Sequence, residues 1–328
     1  MLCRYDIPFL NSNSNTVWDM AFHPYRDDVL ATCGEDDVIH VDRLPLDFGS
    51  DSPSENLANI GGHSKTVTSV RWNPSVDGLL ATSSLDGNVN LADIHKGSSV
   101  SSTGTGSDVS DVSWAADGGN VLAVNKAKKV LLIDPRQKSV ALETIGHEGT
   151  KPAKCVWLGE TGRAVTTGFT KMRERELLIW DARKLEKPLT RNSYGSSPSV
   201  LTPHYDNDAK LLFLAGRGEG TVYTLDMSSD KAPFFTDLVT GKHLDKEPHT
   251  AVALAPKRCL DVMGCEIDRM YRVLKESIQV LHFHVSRRNM DFFQDELYPH
   301  SASAYSLTAE QYLGGSTSKP VMTSLEPK

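Results

Sequence analysis

The sequence predicts an all-β protein, a β-propeller of about six blades followed by a C-terminal extension. Two observations support this fold class. Short segments of alternating or β-branched apolar residues are separated by turn residues, which is the pattern of consecutive antiparallel strands. The same pattern returns with a period of about 40 to 45 residues, a spacing typical of propeller blades and not required of independent sandwich domains.

The clearest copy covers residues 62–97. It opens with a glycine followed by His63, and a second glycine follows Asp86 between its second and third strands. An Asp-Gly pair suits a tight hairpin because both residue types tolerate positive φ. Asp93 closes the third strand. A Gly-His start, a turn aspartate and a closing aspartate together outline a WD40 blade.

The other copies follow the same template, and one aromatic position recurs near the end of the first strand. The predicted propeller occupies residues 1–286, with repeats near residues 16–45, 62–97, 109–136, 146–186 and 198–228 and a divergent sixth blade over residues 234–286. The aromatic position holds Phe22, Trp72, Trp114, Trp157 and Tyr205.

The segments outside the copies are mostly polar. Residues 47–59, rich in Ser, Asp, Gly and Pro, are predicted to form a surface loop, and residues 98–106 a low-complexity linker. Residues 287–328 are predicted to form an extension that packs on the propeller. Within it, residues 308–313 have the pattern of a short helix that ends before Gly314.

The composition indicates a cytoplasmic protein that does not bind nucleic acid. A formal net charge of -7 does not supply the basic excess that phosphate binding needs. The five cysteines show no Cys-x-x-Cys spacing, as expected of reduced thiols. The N-terminus lacks the apolar core of a signal peptide. No apolar run approaches the roughly 18 residues of a transmembrane helix.

One set of polar residues in the clearest copy resembles a hydrolase triad. His63, a strand hydroxyl such as Thr82, and Asp86 are spaced to form a hydrogen-bonded group. Buried polar groups must be paired, and in a repeated blade such a group is better explained as a structural network that holds a hairpin. His147 and Trp180 are predicted to belong to a similar network in the fourth copy, although no residue there matches Asp86. We therefore assign no catalytic residue.

Two further patterns resemble ligand sites. His282 and His284 share one face of a predicted strand, a geometry that can ligate a metal, but no third ligand is evident in the sequence. The Gly-x-Gly-x-Gly run at residues 216–220 lies between two strands without a following helix, so it offers no helix N-terminus to a phosphate. We expect neither a metal nor a cofactor.

Three segments resemble the coronin family. Residues 168–181, which contain Lys-Met-Arg-Glu-Arg-Glu and Trp-Asp, are similar to the family's long hairpin, in the form closest to the long, tandem-propeller coronins. Residues 256–267, with Pro-Lys-Arg-Cys-Leu-Asp-Val and Cys-Glu-Ile, resemble its last-blade signature. Residues 292–299, Phe-Phe-Gln-Asp-Glu-Leu-Tyr-Pro, resemble the start of its C-terminal extension. The resemblance runs in order over residues 16–325.

The resemblance implies a seven-bladed WD40 propeller that binds filamentous actin and helps to organise the actin cytoskeleton without enzymatic activity. Only about six blades are counted, and no segment matches the first blade with its basic N-terminal stretch, so no actin-contact residue is carried over. We expect a piece of a longer or tandem-propeller protein, or a six-bladed variant. No heptads follow the extension, so we predict no oligomerising coiled coil.

The resemblance to the long coronins implies a second hypothesis. The chain would then be a WD40 scaffold for protein–protein interaction in Golgi or endosomal membrane trafficking, located on vesicles and not on the actin cytoskeleton. Its partners would be trafficking proteins, and its contact with actin would be weak or absent.

Basic clusters are the candidate contacts with a partner, because filamentous actin is acidic. Hairpin tips also carry charge simply because they are solvated, and this explanation competes with a binding role. Phe292 and Phe293 are expected to pack the extension against the propeller. The candidate contacts are Lys171, Arg173, Arg175, Arg287 and Arg288, with Lys126, Lys128 and Lys129 as a further basic group.

Overall fold

The computed structural model describes residues 13–45, 54–238, 243–288 and 292–327. Within these ranges the regular structure is almost entirely antiparallel β-sheet, as the sequence predicts, with a single α-helix of five residues. Six blade-like sheets follow one another along the described part of the chain.

In each of the first three sheets, four strands pair in sequence order. The first contains β1 (Val17–Phe22), β2 (Val29–Gly34), β3 (Ile39–Arg43) and β4 (Glu55–Ile60). The second contains β5 (Val67–Trp72), β6 (Leu79–Ser84), β7 (Asn88–Asp93) and β8 (Ser98–Gly104). The third contains β9 (Val109–Trp114), β10 (Val121–Asn125), β11 (Lys129–Asp134) and β12 (Ser139–Ile145).

The later sheets are less regular. The fourth has β13 (Lys154–Trp157), β14 (Arg163–Phe169), β15 (Glu174–Asp181) and β16 (Thr190–Ser196). The fifth has β17 (Leu201–Asp206), β18 (Leu211–Gly216) and β19 (Glu219–Asp226), and β19 pairs with both β20 (Thr236–Asp237) and β21 (His243–His249). The sixth, divergent sheet has three strands, β22 (Ala251–Leu254), β23 (Glu266–Val273) and β24 (Ile278–His284).

The chain forms two compact units. The first takes the described residues up to Ala127 together with Leu131–Ala141 and Tyr305–Lys319. The second takes Lys128–Val130, the described residues of Leu142–Ala304, and those from Pro320 onward.

In the first unit, the recurring aromatic position ties each sheet to the one before it. The indole Nε1 of Trp72 donates to the carbonyl of Ala21 at 2.9 Å, and that of Trp114 donates to the carbonyl of Arg71 at 3.0 Å. Both indoles are buried. The position therefore supplies apolar packing and pairs a backbone carbonyl of the neighbouring sheet in one step.

The sheet junction of the second unit has a threonine hydrogen bond of the kind that Thr68 makes to the carbonyl of Val109 in the first unit. The hydroxyl of Thr167 donates to the carbonyl of Leu201 on the next sheet at 2.6 Å. In this unit Trp157 donates locally, to the carbonyl of Gly159 at 2.9 Å. The aromatic residue thus recurs at the same position of the repeat, but its hydrogen-bond partner differs between the two units.

The extension contributes to the first unit through the predicted helix, which spans Ala309–Leu313 as α1. Thr308 caps it, and Gln311 completes a capping box by reciprocal hydrogen bonds. The buried ring of Tyr312 meets Trp114 edge-on, and its hydroxyl donates to the carbonyl of Gly119 at 3.1 Å. A short pair of strands, β25 (Ser301–Ala304) and β26 (Val321–Thr323), flanks this segment in the chain.

Two predictions about connecting segments are wrong. Most of the predicted linker at residues 98–106 is strand β8, and the end of the predicted loop at residues 47–59 is strand β4; residues 47–53 lie outside the described residues. The last strand of a blade needs backbone pairing but little apolar surface, so its composition resembles that of a loop. In β8 the alternate residues Ser101 and Thr103 are buried.

Candidate functional site

The structure brings His63, Thr82 and Asp86 together. His63 places Nδ1 3.0 Å from Asp86 Oδ2 and Nε2 3.0 Å from Thr82 Oγ1. The backbone N–H of Ser64 donates to the same Asp86 oxygen at 3.0 Å. The side chains of His63 and Asp86 are only 1% and 4% exposed. Both ring nitrogens are engaged within the blade, so the arrangement suits a structural network.

Asp86 is held in its charged form. Burial by itself raises the pKa of its carboxyl, but hydrogen bonds from the Ser64 backbone, from His63 and from the Asn88 backbone outweigh burial and leave the pKa lowered. A carboxylate of this kind anchors the hairpin turn to the start of the blade.

The first blade repeats the network with one substitution. Asn13 stands where the second blade has His63, and its Oδ1 accepts from Thr32 Oγ1 at 2.8 Å. Asp36 accepts from the backbone N–H of Ser14 at 3.2 Å, as Asp86 does from Ser64, and also lies 2.9 Å from Nε2 of His40.

In the fourth blade the residue that the sequence did not reveal is Glu176. Its Oε1 lies 2.9 Å from Nδ1 of His147, and Nε2 of that ring lies 2.9 Å from Thr166 Oγ1. The indole of Trp180 donates to the same hydroxyl at 2.8 Å. Glu176 comes from the strand and not from the turn, so an alignment on Asp86 misses it. Glu174 and Arg175 beside it are also charged, so no local sequence signal distinguishes it.

The long hairpin between β14 and β15 presents its basic residues unequally. Lys171, Met172 and Arg173 lie at the tip and are exposed, Met172 by 83%. Thr170 holds this turn by accepting from the backbone N–H groups of Met172 and Glu174, both at 3.2 Å. The tip therefore offers two cations and an apolar side chain to solvent.

Arg175 is not part of that exposed tip. It is 5% exposed, its Nη1 lies 2.5 Å from Glu219 Oε1, and its Nη2 donates to the carbonyl of Tyr194 at 3.0 Å. Ser197 also donates to Glu219. The strand alternation that exposes Glu174 turns the next side chain inward, so Arg175 links two sheets of the second unit.

The remaining basic candidates lie at the surface with different degrees of pairing. Arg287 forms an ion pair with Glu296 at 3.1 Å, and Arg288 is exposed. The further basic group is paired: Lys126 contacts Asp108 at 3.1 Å, Lys128 donates to the carbonyl of Glu148 at 2.6 Å, and Lys129 contacts Glu143 at 2.7 Å.

The last-blade segment places a lysine among buried carboxylates. Lys257 Nζ lies 2.5 Å from Asp206 Oδ2, 2.6 Å from the carbonyl of Ile267 and 3.9 Å from Asp268 Oδ2. Burial raises the pKa of Asp268 to about 7, with Lys257 opposing the rise and Asp206 adding to it. The segment has a structural role within the second unit.

The prediction that both phenylalanines pack inward is wrong for Phe292, which is 57% exposed. Phe293 stacks on Tyr298 with ring centroids 5.3 Å apart, and the Tyr298 hydroxyl donates to the carbonyl of Glu266 at 3.0 Å. Only the second phenylalanine is thus used to hold the extension.

His282 and His284 have a third group beside them that the sequence did not show. One ligand atom from each of the two histidines and from Glu266 lies within 4.8 Å of the others. Glu266 is directly opposite His284 in the β23–β24 pair, so this proximity follows from strand register.

No helix in the described residues is both long and apolar enough to cross a membrane.

Family models match two parts of the chain. Residues 20–117 match the WD40 domain of anaphase-promoting complex subunit 4, and residues 278–320 match a type of WD40 repeat.

Curated relatives match nearly the whole chain. The chain is 31% identical to the coronin-like protein crn1 of Schizosaccharomyces pombe over 96% of its own length and 52% of that protein. It is 32% identical to Coronin-A of Dictyostelium discoideum over 97% of its own length and 71% of that protein. The chain thus spans from about half to about seven-tenths of the length of these relatives.

Among solved structures, the chain is similar to the WD40 domain of a Toxoplasma gondii coronin, with a TM-score of 0.88 and 30% identity. The match covers 95% of this chain and 80% of the other. Together with the six blade-like sheets, this likeness confirms the predicted WD40 β-propeller fold class.

Proposed function

The chain belongs to the coronin family of WD40 β-propeller proteins, and from this premise we propose that it binds actin filaments and helps to organise the actin cytoskeleton. The supporting observation is the family match at 31–32% identity over 96–97% of the chain. Actin binding is the activity that the coronin resemblance implies. The protein acts in the cytoplasm as a binding module, without catalysis or a cofactor.

We place the filament contact on the exposed tip of the long hairpin, at Lys171 and Arg173, with Arg287 and Arg288 as further contacts. The two tip cations have no ion pair among those found in the described residues, and Met172 between them adds apolar area. An acidic filament surface is complementary in charge to such a tip. Exposed charges of this kind contribute more to the orientation and rate of association than to affinity. Arg175 is buried beside Glu219, so we assign it to holding the hairpin and not to the filament contact.

Co-sedimentation with filamentous actin at low and physiological salt tests the proposal. The folded chain should pellet with filaments, and less so at higher salt, since exposed charges are screened. The double variant Lys171→Ala/Arg173→Ala should bind roughly three- to tenfold more weakly, as expected for two exposed charge contacts.

A matched control is Lys184→Ala/Lys187→Ala, which removes two exposed lysines from the hairpin at the opposite end of β15. It should bind filaments like the parent chain. Equal weakening in both double variants would remove the hairpin tip from the contact and leave only a general charge effect. If a folded chain does not pellet and instead recovers membrane-trafficking proteins, the scaffold hypothesis replaces the actin one.

A further inference from the structure

We propose that this chain binds a second copy of itself head to tail, through the first sheet of one copy and the sixth sheet of the next. The β1 face consists of the side chains of Met20 and Phe22. The contact uses none of the residues assigned to the actin filament, so it goes beyond the proposed function. The sixth-sheet face consists of Ala253, Tyr271, Val273, Ile278 and Val280.

The junction between the first two sheets shows how one sheet packs on another in this chain. A row of three residues crosses the first sheet, because Ala21 is paired with Ala31 and Ala31 with Val41. Val70 and Trp72 of β5 pack in one apolar cluster with this row. The indole of Trp72 completes the contact through its hydrogen bond to the carbonyl of Ala21.

The junction between the second and third sheets repeats the arrangement. Its row consists of Arg71, Ala81 and Leu91, which are paired across three strands. Ala81 and Leu91 share an apolar cluster with Val112 and Trp114 of β9. Trp114 donates to the carbonyl of Arg71 at 3.0 Å. A row of this kind is therefore the surface on which the first strand of the following sheet packs.

The sixth sheet carries a row of the same kind, but its side chains are exposed. Ala253 is paired with Tyr271 and Tyr271 with Val280, at the positions of the row in the first sheet. Val273 and Ile278 form the next pair on the same face. Tyr271 is 36% exposed, Val280 39% and Ile278 66%, whereas the paired residues of β2 and β3 in the first sheet are buried under β5.

The β1 face matches this exposed row. Met20 and Phe22 have the positions in β1 that Val70 and Trp72 have in β5, and they are exposed too. One chain thus presents both halves of a sheet junction, and a second copy supplies the half that each face lacks. The side chains of both faces are uncharged, so burial of apolar area favours the contact.

The two faces differ from each other, so the contact is heterologous. A contact of this type adds copies in succession and does not close a symmetric dimer. We therefore expect oligomers whose size grows with protein concentration.

Complementation between two double variants tests the contact. Met20→Thr/Phe22→Thr removes the β1 face and Ile278→Thr/Val280→Thr removes the sixth-sheet face, while threonine keeps strand propensity. Each variant alone should self-associate at least about tenfold more weakly than the parent, because two large apolar side chains are lost. An equimolar mixture should form a 1:1 dimer and nothing larger, since each variant keeps the face that the other lacks. Size-exclusion chromatography with light scattering over a range of concentrations measures all three samples.

The matched control is Ile145→Thr/Leu244→Thr, which removes two comparably exposed apolar side chains outside both faces. It should associate like the parent. All the replaced side chains are exposed, so each variant should unfold near the temperature of the parent. A parent that stays monomeric, a mixture that forms no dimer, or a sixth-sheet variant that still associates like the parent would each overturn the proposal. Equal weakening in the control would do so as well.

Discussion

At the scale of single residues, each of three blade networks contains one carboxylate that contacts a histidine ring. Asp36, Asp86 and Glu176 each contact a histidine ring, although they come from different positions of their blades. The longer glutamate side chain reaches from the strand to the place that an aspartate reaches from the turn. The network can therefore be kept while its sequence pattern changes.

Glu176→Ala should destabilise the chain by about 1–3 kcal/mol, because it leaves the buried Nδ1 of His147 without a partner. Glu176→Gln should cost less, since its amide oxygen still accepts from the ring. Urea unfolding followed by tryptophan fluorescence measures both. Glu174→Ala, which truncates the exposed neighbour, should change the free energy of unfolding by no more than about 0.5 kcal/mol. Equal costs at the two positions would contradict this role of Glu176.

At the scale of elements, β5 packs on the sheet before it, whereas the corresponding face of β1 is exposed. In β5 the side chains of Val70 and Trp72 are buried against the first sheet, but the corresponding Met20 and Phe22 of β1 are 57% and 56% exposed. Trp18 on the same face is also exposed. An apolar strand face of this kind promotes self-association.

We predict that this chain, expressed alone, is only marginally soluble, and that Met20→Thr/Phe22→Thr reduces its self-association. Threonine keeps strand propensity while removing the apolar surface. Size-exclusion chromatography with light scattering over a range of concentrations measures the change. Met172→Thr, at another exposed methionine, should have no such effect. A parent chain that remains a monodisperse monomer at all concentrations would contradict the prediction.

At the scale of the whole molecule, two buried carboxylates of the second unit make opposite contributions to the change of stability with pH. Asp268 has a pKa raised to about 7 by burial, compared with about 3.9 in an unfolded chain. The folded state therefore holds more protons than the unfolded state between these values, and the contribution of Asp268 to stability falls as the pH rises through this window. Glu266 acts in the opposite direction, because its pKa is lowered to about 2 despite burial, through Arg269, the Asp261 backbone and His282. Its contribution to stability is present above the pKa of about 4.3 in an unfolded chain and is lost as the pH falls from there to about 2.

Asp268→Asn should therefore raise the thermal unfolding midpoint much more at pH 8 than at pH 5, because pH 5 lies only a short way into the window in which Asp268 destabilises the fold. The asparagine is neutral at both pH values, so it removes only the cost of charging a buried carboxyl. Differential scanning calorimetry at the two pH values measures the effect. Glu186→Gln, at an exposed position, serves as the charge-matched control. A gain at pH 5 as large as that at pH 8 would show that ionisation of Asp268 is not the cause.

Much of the architecture is readable from the sequence because its causes are local. Alternating apolar residues, Asp-Gly turns and the capped segment at residues 308–313 act within a few residues of each other, so the all-β class, the blade period and α1 follow from them. The wrong predictions of a loop at β4 and a linker at β8 also arise from reading only local patterns. A solvated outer strand carries no apolar pattern that distinguishes it from a loop.

The sequence by itself determined the repeated blade, the propeller class and the coronin resemblance. Only the tertiary structure decided which polar atoms meet. Glu176 reaches His147, Arg175 turns inward to Glu219, and Glu266 lies beside His282. These contacts depend on strand register and on packing between sheets, which bring together residues 16 to 44 positions apart. No local pattern records such distances, because register is fixed by the buried faces of whole strands and not by the residues that come into contact.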